Sequence, residues 1–106
     1  MSSKELISAT TSAVAFSSSG TFKIDQGVAT LGATNLVGVE QVGIQISLDD
    51  GFTWQTYHED SSAVVLTINQ PHVTLNSPGT YRVNKTTTVN SCAVLVAQKF
   101  FSPLPV

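Results

Sequence analysis

Few side chains in this sequence carry acid–base, nucleophilic or metal-binding chemistry, and those few are thinly spread. His58, Glu59 and Asp60 are consecutive, and His72 is the only other histidine. Consecutive strand residues point to opposite faces, so at most two of the triplet can converge. Tetrahedral metal sites usually need four well-placed ligands, so the triplet reads as a solvated acidic loop. Asp49 and Asp50 offer oxygen ligands, but nothing around them repeats the spacing of a calcium loop. With Gly51 after them they read as a turn. Serines are plentiful, yet no Gly-x-Ser-x-Gly elbow accompanies His58 or His72. Asp25 or Glu40 with Glu59 has no spacing that suggests a glycosidase pair. Cys92 is the single cysteine, which rules out an intrachain disulfide and a thiolate cluster. Its neighbours Ala93, Val94, Leu95 and Val96 suit an inert buried thiol. Asn84-Lys85-Thr86 matches a glycosylation sequon, a coincidence if the chain is not secreted. The expectation is a protein that is not an enzyme and has no cofactor and no metal.

Recognition is better served by Trp54, Tyr57, Tyr81 and Arg82. Trp54 is expected inward, in the core. Tyr57 is expected on the outer face, where a ring can stack on a sugar or pack on a partner. Arg82 follows Tyr81 on the outer side of its strand. It is placed there for a salt bridge or an intersubunit hydrogen bond, and as an exposed ion pair it would be worth little.

These residues are positioned by the stretch Val39–His58, around which the chain is organised. Val42, Ile44, Ile46 and Leu48 alternate with Gln41, Gly43, Gln45 and Ser47, the period of a half-buried strand. Phe52, Trp54 and Thr56 alternate after the turn. Two registers compete. A two-residue loop, Asp50-Gly51, pairs Ile46 with Gln55 and sends Trp54 to the face opposite Ile46. A three-residue loop, Asp49-Asp50-Gly51, pairs Leu48 with Phe52, Ile46 with Trp54 and Ile44 with Thr56. Every large apolar group then shares one face. The three-residue loop is the one predicted, a type I turn closed by Gly51 in the left-handed region with a bulge.

Elsewhere, residues 1–12 are polar and read as an N-terminal arm, with Leu6 and Ile7 as anchors for a partner. Ala13–Ser17 is a short strand with Val14 and Phe16 inward. Thr21–Asp25 turns Phe22 and Ile24 inward, and Val28–Ala33 follows. Ala63–Ile68 places Val64, Leu66 and Ile68 on one face. His72–Leu75 buries Val73 and Leu75, and Thr80–Asn84 buries Tyr81 and Val83. Ser91–Phe100 is apolar on both faces, with Cys92, Val94 and Val96 on one side, so it is either central in a sandwich or covered by another subunit. Turn signals at Ser17–Gly20, Gln26-Gly27, Asn69–Pro71 and Asn76–Gly79 punctuate these runs. Seven to eight short strands without helical period predict an all-β chain. The expected fold is an antiparallel β-sandwich, jelly-roll or Ig-like, over residues 13–100. The tail, 101–106, is apolar and broken by Pro103 and Pro105, so it cannot extend a central strand. Phe100, Phe101, Leu104 and Val106 are expected in a C-terminal arm lying across a neighbouring subunit.

At 106 residues the length suits one domain. The five Lys/Arg are scattered and the net charge is −2, so no basic patch exists to track phosphates and nucleic acid is not an expected partner. No apolar run is long enough for a membrane span, and no leader pattern opens the chain. Charged residues make up 11% against about 25% in typical domains, which suggests a surface that something else covers.

The run Val42–Trp54, with its alternating strand, Ser-Leu-Asp-Asp-Gly turn and Thr-Trp, resembles small β-domains of tailed-bacteriophage virion proteins. Ser77-Pro78-Gly79-Thr80-Tyr81-Arg82-Val83 is similar to the Pro-Gly-x-Tyr-Arg segment that accompanies it there. Gly27-Val28-Ala29-Thr30-Leu31 is compatible. The likeness spans about residues 20–98 and carries no catalytic signature. It is nearest to capsid decoration (cement) proteins, and touches modules of tail and fibre proteins. It implies a virion component assembled in the host cytoplasm. Such a component forms symmetric homo-oligomers and has the major capsid protein as its partner. A glycan- or receptor-binding module, or a ring-forming tail or connector protein, are the alternatives. The resemblance transfers no site residues.

Overall fold

A computed structural model describes residues 2–99. The alternating segments become β1 (Ser2–Thr10), β2 (Thr21–Ile24), β3 (Val28–Ala33), β4 (Val42–Ser47), β5 (Gln55–Thr56), β6 (His58–Glu59), β7 (Ser62–Ala63), β8 (Val65–Leu66), β9 (His72–Leu75), β10 (Gly79–Lys85) and β11 (Cys92–Lys99). A single 3-10 turn, Phe16–Ser18, lies between β1 and β2. One sheet has the order β1-β11-β3-β9. The other has β2-β10-β4-β5, with β8 also on β4. All the ladders are antiparallel.

β5 and β8 occupy the same edge of β4, and Tyr57 and Val64 join them. The Tyr57 N–H donates to the Ile44 carbonyl, and the Val64 N–H donates to the Tyr57 carbonyl, both at 3.0 Å. β5 to β8 are therefore one edge strand, interrupted by the two-stranded finger β6–β7. Counted this way there are eight strands among the described residues. First pairs with last, second with seventh, third with sixth and fourth with fifth. That is one long hairpin rolled into two sheets, the jelly-roll connectivity rather than the Ig-like one.

The inward residues of both sheets form a single core. Ala29, Leu31, Val42, Ile44, Leu66, Leu75, Tyr81, Val83, Cys92, Val94 and Val96 are its most enclosed members, with Phe22, Ile24 and Ile46 beside them. Phe22 stacks on Tyr81 with ring centroids 5.1 Å apart, and Tyr57 meets Tyr81 edge-on at 5.6 Å. The Tyr81 hydroxyl donates to the Ser77 carbonyl at 2.7 Å. Burial pushes the phenols of Tyr81 and Tyr57 above their usual range. Burial also raises the Cys92 thiol, partly offset by Lys85. Lys85 follows Tyr81 and Val83 on the inner face and is 2% exposed. Its Nζ reaches the carbonyls of Ser12 at 2.6 Å and Thr86 at 3.1 Å. β11 lies between β1 and β3, with Cys92, Val94 and Val96 on the core and Leu95 on the other face, 39% exposed.

Several expectations are overturned. The N-terminal arm is strand β1. Its register against β11 shifts between Glu5 and Ile7 and again between Ile7 and Thr10. The first shift lets both Leu6 and Ile7 enter the core. The sandwich thus starts at Ser2, and these two residues are not partner anchors. Ala13–Ser17 is a bridge at Val14 followed by the 3-10 turn. The predicted strand Ala63–Ile68 ends at Leu66. Thr67 and Gln70 then exchange backbone hydrogen bonds, which leaves Ile68 exposed in the turn. Val64 and Val73 are half-buried against the core rather than inside it. The expected C-terminal arm, 101–106, and Phe100 lie outside the described residues.

The central hairpin takes the other register. Ile46 pairs with Gln55 and Gln45 with Thr56. Asp50 and Gly51 have φ of 59° and 95°, and the Phe52 N–H donates to the Asp49 carbonyl at 3.4 Å. This is the two-residue type I′ turn that Asp-Gly favours because its twist matches the strands. A positive φ at Gly51 suits both loops, so that angle alone does not separate them. Leu48 and Phe52 consequently lie in the exposed loop, and Trp54 turns to the outer face. The Trp54 indole N–H donates to the Gly51 carbonyl at 3.1 Å.

The sandwich is closed along one side. The Gly20 N–H donates to the Leu6 carbonyl at 2.9 Å, and Gln98 donates to the Lys23 carbonyl at 2.9 Å. Lys4 Nζ donates to the Thr21 carbonyl. These bonds tie β1 and β11 to the start of β2.

Candidate functional site

The hairpin loop is held by its own side chains. Ser47 Oγ accepts from the Gly51 N–H at 2.7 Å and donates to Asp49 Oδ1 at 2.8 Å. Asp49 also accepts from the Thr53 N–H at 2.8 Å and its hydroxyl at 2.6 Å. The hydrogen bonds from Thr53, followed by that from Ser47, hold the Asp49 carboxyl down at about 2. Asp50 pairs with Lys23 at 3.3 Å, and Asp25 lies 3.7 Å from the same ammonium. Both turn aspartates are therefore engaged within the fold.

The polar residues that could do chemistry stay apart. His58 and Glu59 sit on the finger and His72 on β9 in the opposite sheet. His58 Nδ1 lies 2.9 Å from the Thr56 carbonyl, and Glu59 accepts from the Tyr57 hydroxyl at 3.1 Å. Glu40 braces two loops, accepting from the Val37 N–H at 2.9 Å and the Val89 N–H at 2.8 Å. Among the described residues no group of three His, Cys, Asp or Glu comes close enough to hold a metal. Asn84 of the sequon accepts from the Gly43 N–H at 3.0 Å across the β10–β4 ladder, so its side chain is already committed.

Tyr57 is buried in the core, not on the outer face. It pairs beside Ile44 and inherits that residue's inward direction, because the hairpin register is one step from the predicted one. The residues that do share the outer face of the five-stranded sheet are Arg82, Trp54 and Phe16. The Arg82 guanidinium carbon lies 4.1 Å from the Trp54 ring centroid and 5.7 Å from that of Phe16. Its Nε donates to Gln45 Oε1 at 2.8 Å. Gly43 leaves room for this arrangement, since a Cβ there would lie 2.5 Å from Asn84 Oδ1 and 3.3 Å from Phe16 Cζ. Arg82 lies on the outer side, as its strand position predicts. Alternation predicts Phe16 inward and Trp54 in the core, so the sequence pattern does not disclose their grouping.

Large apolar side chains are exposed at both ends of β4. Beyond Ser47 stand Leu48 and Phe52, 72% and 88% exposed. Before Val42 stand Val39, at 95%, and in the adjoining loop Val89, at 76%. Alternation does not single out Val39 and Val89, although a lone valine between Gly38 and Glu40, or after three threonines, is an apolar residue where loop chemistry does not call for one. An open concavity of about 430 Å³ lies between the finger and the turn after β8, lined by Glu59, Asp60, Val64, Val65, Gln70 and Val73 among others. No protein-family model, curated protein or solved structure matches the chain.

Proposed function

We propose that the chain is a non-enzymatic viral structural protein that binds the outside of a phage capsid. It stabilises the shell through interfaces with the major capsid protein and with its own copies. The observation that supports this reading best is the exposure of Leu48 with Phe52 and of Val39 with Val89 at opposite ends of β4 in the jelly roll. Clustered exposed apolar side chains mark contact surfaces, and two such clusters about 20 Å apart, the span of a six-residue strand, suit a brick held between neighbours. The low charge content and the resemblance to decoration proteins agree with it. The glycan-binding alternative loses the residue on which it stood, because Tyr57 is enclosed by the core.

Co-sedimentation with undecorated capsids tests the proposal. Wild-type protein should pellet with the shells. Phe52→Ser and Val39→Ser should pellet less while melting at the wild-type temperature. A wild-type protein that stays in the supernatant, or variants that bind undiminished, would count against it.

A further inference from the structure

Most of the charges whose side chains are described have a partner within the same molecule, many of them at its surface. Lys23 is paired with Asp25 and Asp50. Lys85 is buried on carbonyls, and Lys4 is on the Thr21 carbonyl. Asp49 is held by Thr53 and Ser47, Glu40 by two backbone N–H groups, Glu59 by Tyr57 and Glu5 by Ser8. Among the residues whose side chains are described, Asp60 has no side-chain hydrogen bond or ion pair, and Arg82 has no ion pair, only the bond to Gln45. Arg82 has its guanidinium carbon 4.1 Å from the Trp54 ring centroid and its Nε held by Gln45, with no carboxylate within 4 Å. Asp60 is at the tip of the finger, where every residue from His58 to Ala63 is exposed. A guanidinium held over a ring keeps its outer N–H edge in a fixed orientation, suited to a carboxylate arriving in its plane. Because the ring beneath and Gln45 beside it already restrain the side chain, little freedom is left to lose on docking.

We propose that the finger of one copy docks on the Arg82 face of a second copy, with the Asp60 carboxylate on the Arg82 guanidinium. The inference rests on the self-association part of the proposed function and names its contact. Finger and face are different patches, so the contact closes as a reciprocal pair or runs head to tail.

Sedimentation velocity over a concentration series, at low and high salt, tests this with four full-length proteins: wild type, Asp60→Arg, Arg82→Glu and the double exchange. Wild type should self-associate, more weakly at high salt. Each single reversal should raise the self-dissociation constant about tenfold or more, and the double exchange should recover most of the loss. Asp60→Arg lies on the exposed finger and leaves the core untouched, so it stays informative even if Arg82→Glu lowers the melting temperature. A monomeric wild type, an Asp60→Arg protein that associates normally, or a double exchange without recovery overturns the contact. Arg82→Glu that loses capsid binding while self-association persists also overturns it, since the face would then belong to the capsid. If Asp60→Arg still pellets with capsids, the capsid reading stands whatever the fate of the finger contact.

Discussion

Gly79 opens β10 with φ of 148°, in a region that is essentially reserved for glycine. A Cβ there would lie 3.0 Å from both Ile46 Cγ1 and Cδ1 and 3.2 Å from the Ser47 carbonyl oxygen. Gly79→Ala therefore combines two costs: about 1–3 kcal/mol for the backbone, and about 1–3 kcal/mol for forcing a methyl into packed atoms. About 3–4 kcal/mol is expected, a large part of a stability of about 5–15 kcal/mol. Two other glycines separate the terms. Gly38 has φ of 61° and nothing within 4 Å of its would-be Cβ. Gly38→Ala should then show the backbone cost alone, about 1 kcal/mol. Gly32 lies in β3 with its nearest neighbours at 3.8 Å, so Gly32→Ala should be neutral or stabilise by about 0.5 kcal/mol. Urea unfolding of the three variants reads this as shifts in midpoint at constant slope. If Gly79→Ala costs no more than Gly38→Ala, the close packing of β10 against the end of β4 is wrong.

Arg82→Lys keeps the charge but loses the guanidinium held over the Trp54 ring. It should change the Trp54 fluorescence and cost about 0.5–1 kcal/mol by urea unfolding. Asp49 has its carboxyl lowered to about 2 from the ordinary 3.8. Its contribution is complete above the ordinary value and is lost as pH falls through 2. Asp49→Asn should accordingly flatten that part of the stability profile between about pH 4 and pH 2, measured against wild type by urea unfolding; an unchanged profile would show that the Thr53 and Ser47 bonds do not favour the charged form.

Legibility in the sequence followed regularity. Where two-residue alternation ran unbroken, as in Phe22 and Ile24, Val42 to Ile46, Tyr81 and Val83, and Cys92 to Val96, the inward face was correct. β1 was hidden because its bulge puts Leu6 and Ile7 on the same side, which erases the period and leaves a polar string with two apolar residues. The central hairpin failed for a different reason. Collecting every apolar group on one face outweighed the local preference of Asp-Gly for a type I′ turn, yet Leu48 and Phe52 are loop residues with no claim on the core. One step of register then misplaced Trp54 and Tyr57 together. The Arg82 platform was out of reach, since it joins Phe16, Trp54 and Gln45 across elements far apart in the chain. The choice of jelly roll was equally inaccessible, because it depends on the pairing of first strand with last.

The edges of the two sheets bear on how such a molecule can meet others. Unpaired strand edges invite indiscriminate pairing. Here β1 is broken by two register shifts and is stitched to the start of β2. β2 is four residues long and carries Lys23. β9 is equally short and follows Pro71, which has no N–H to give. The edge on β4 is interrupted by the finger. Strand addition along any of the four is therefore disfavoured by local geometry. What the described fold leaves for contact is side-chain chemistry: the apolar ends of β4, the Arg82 face and the finger. Contacts of that kind are selective for shape and charge, whereas an open edge accepts almost any strand. In the assembly role proposed above, where copies would crowd together, that distinction would keep sheet from fusing to sheet.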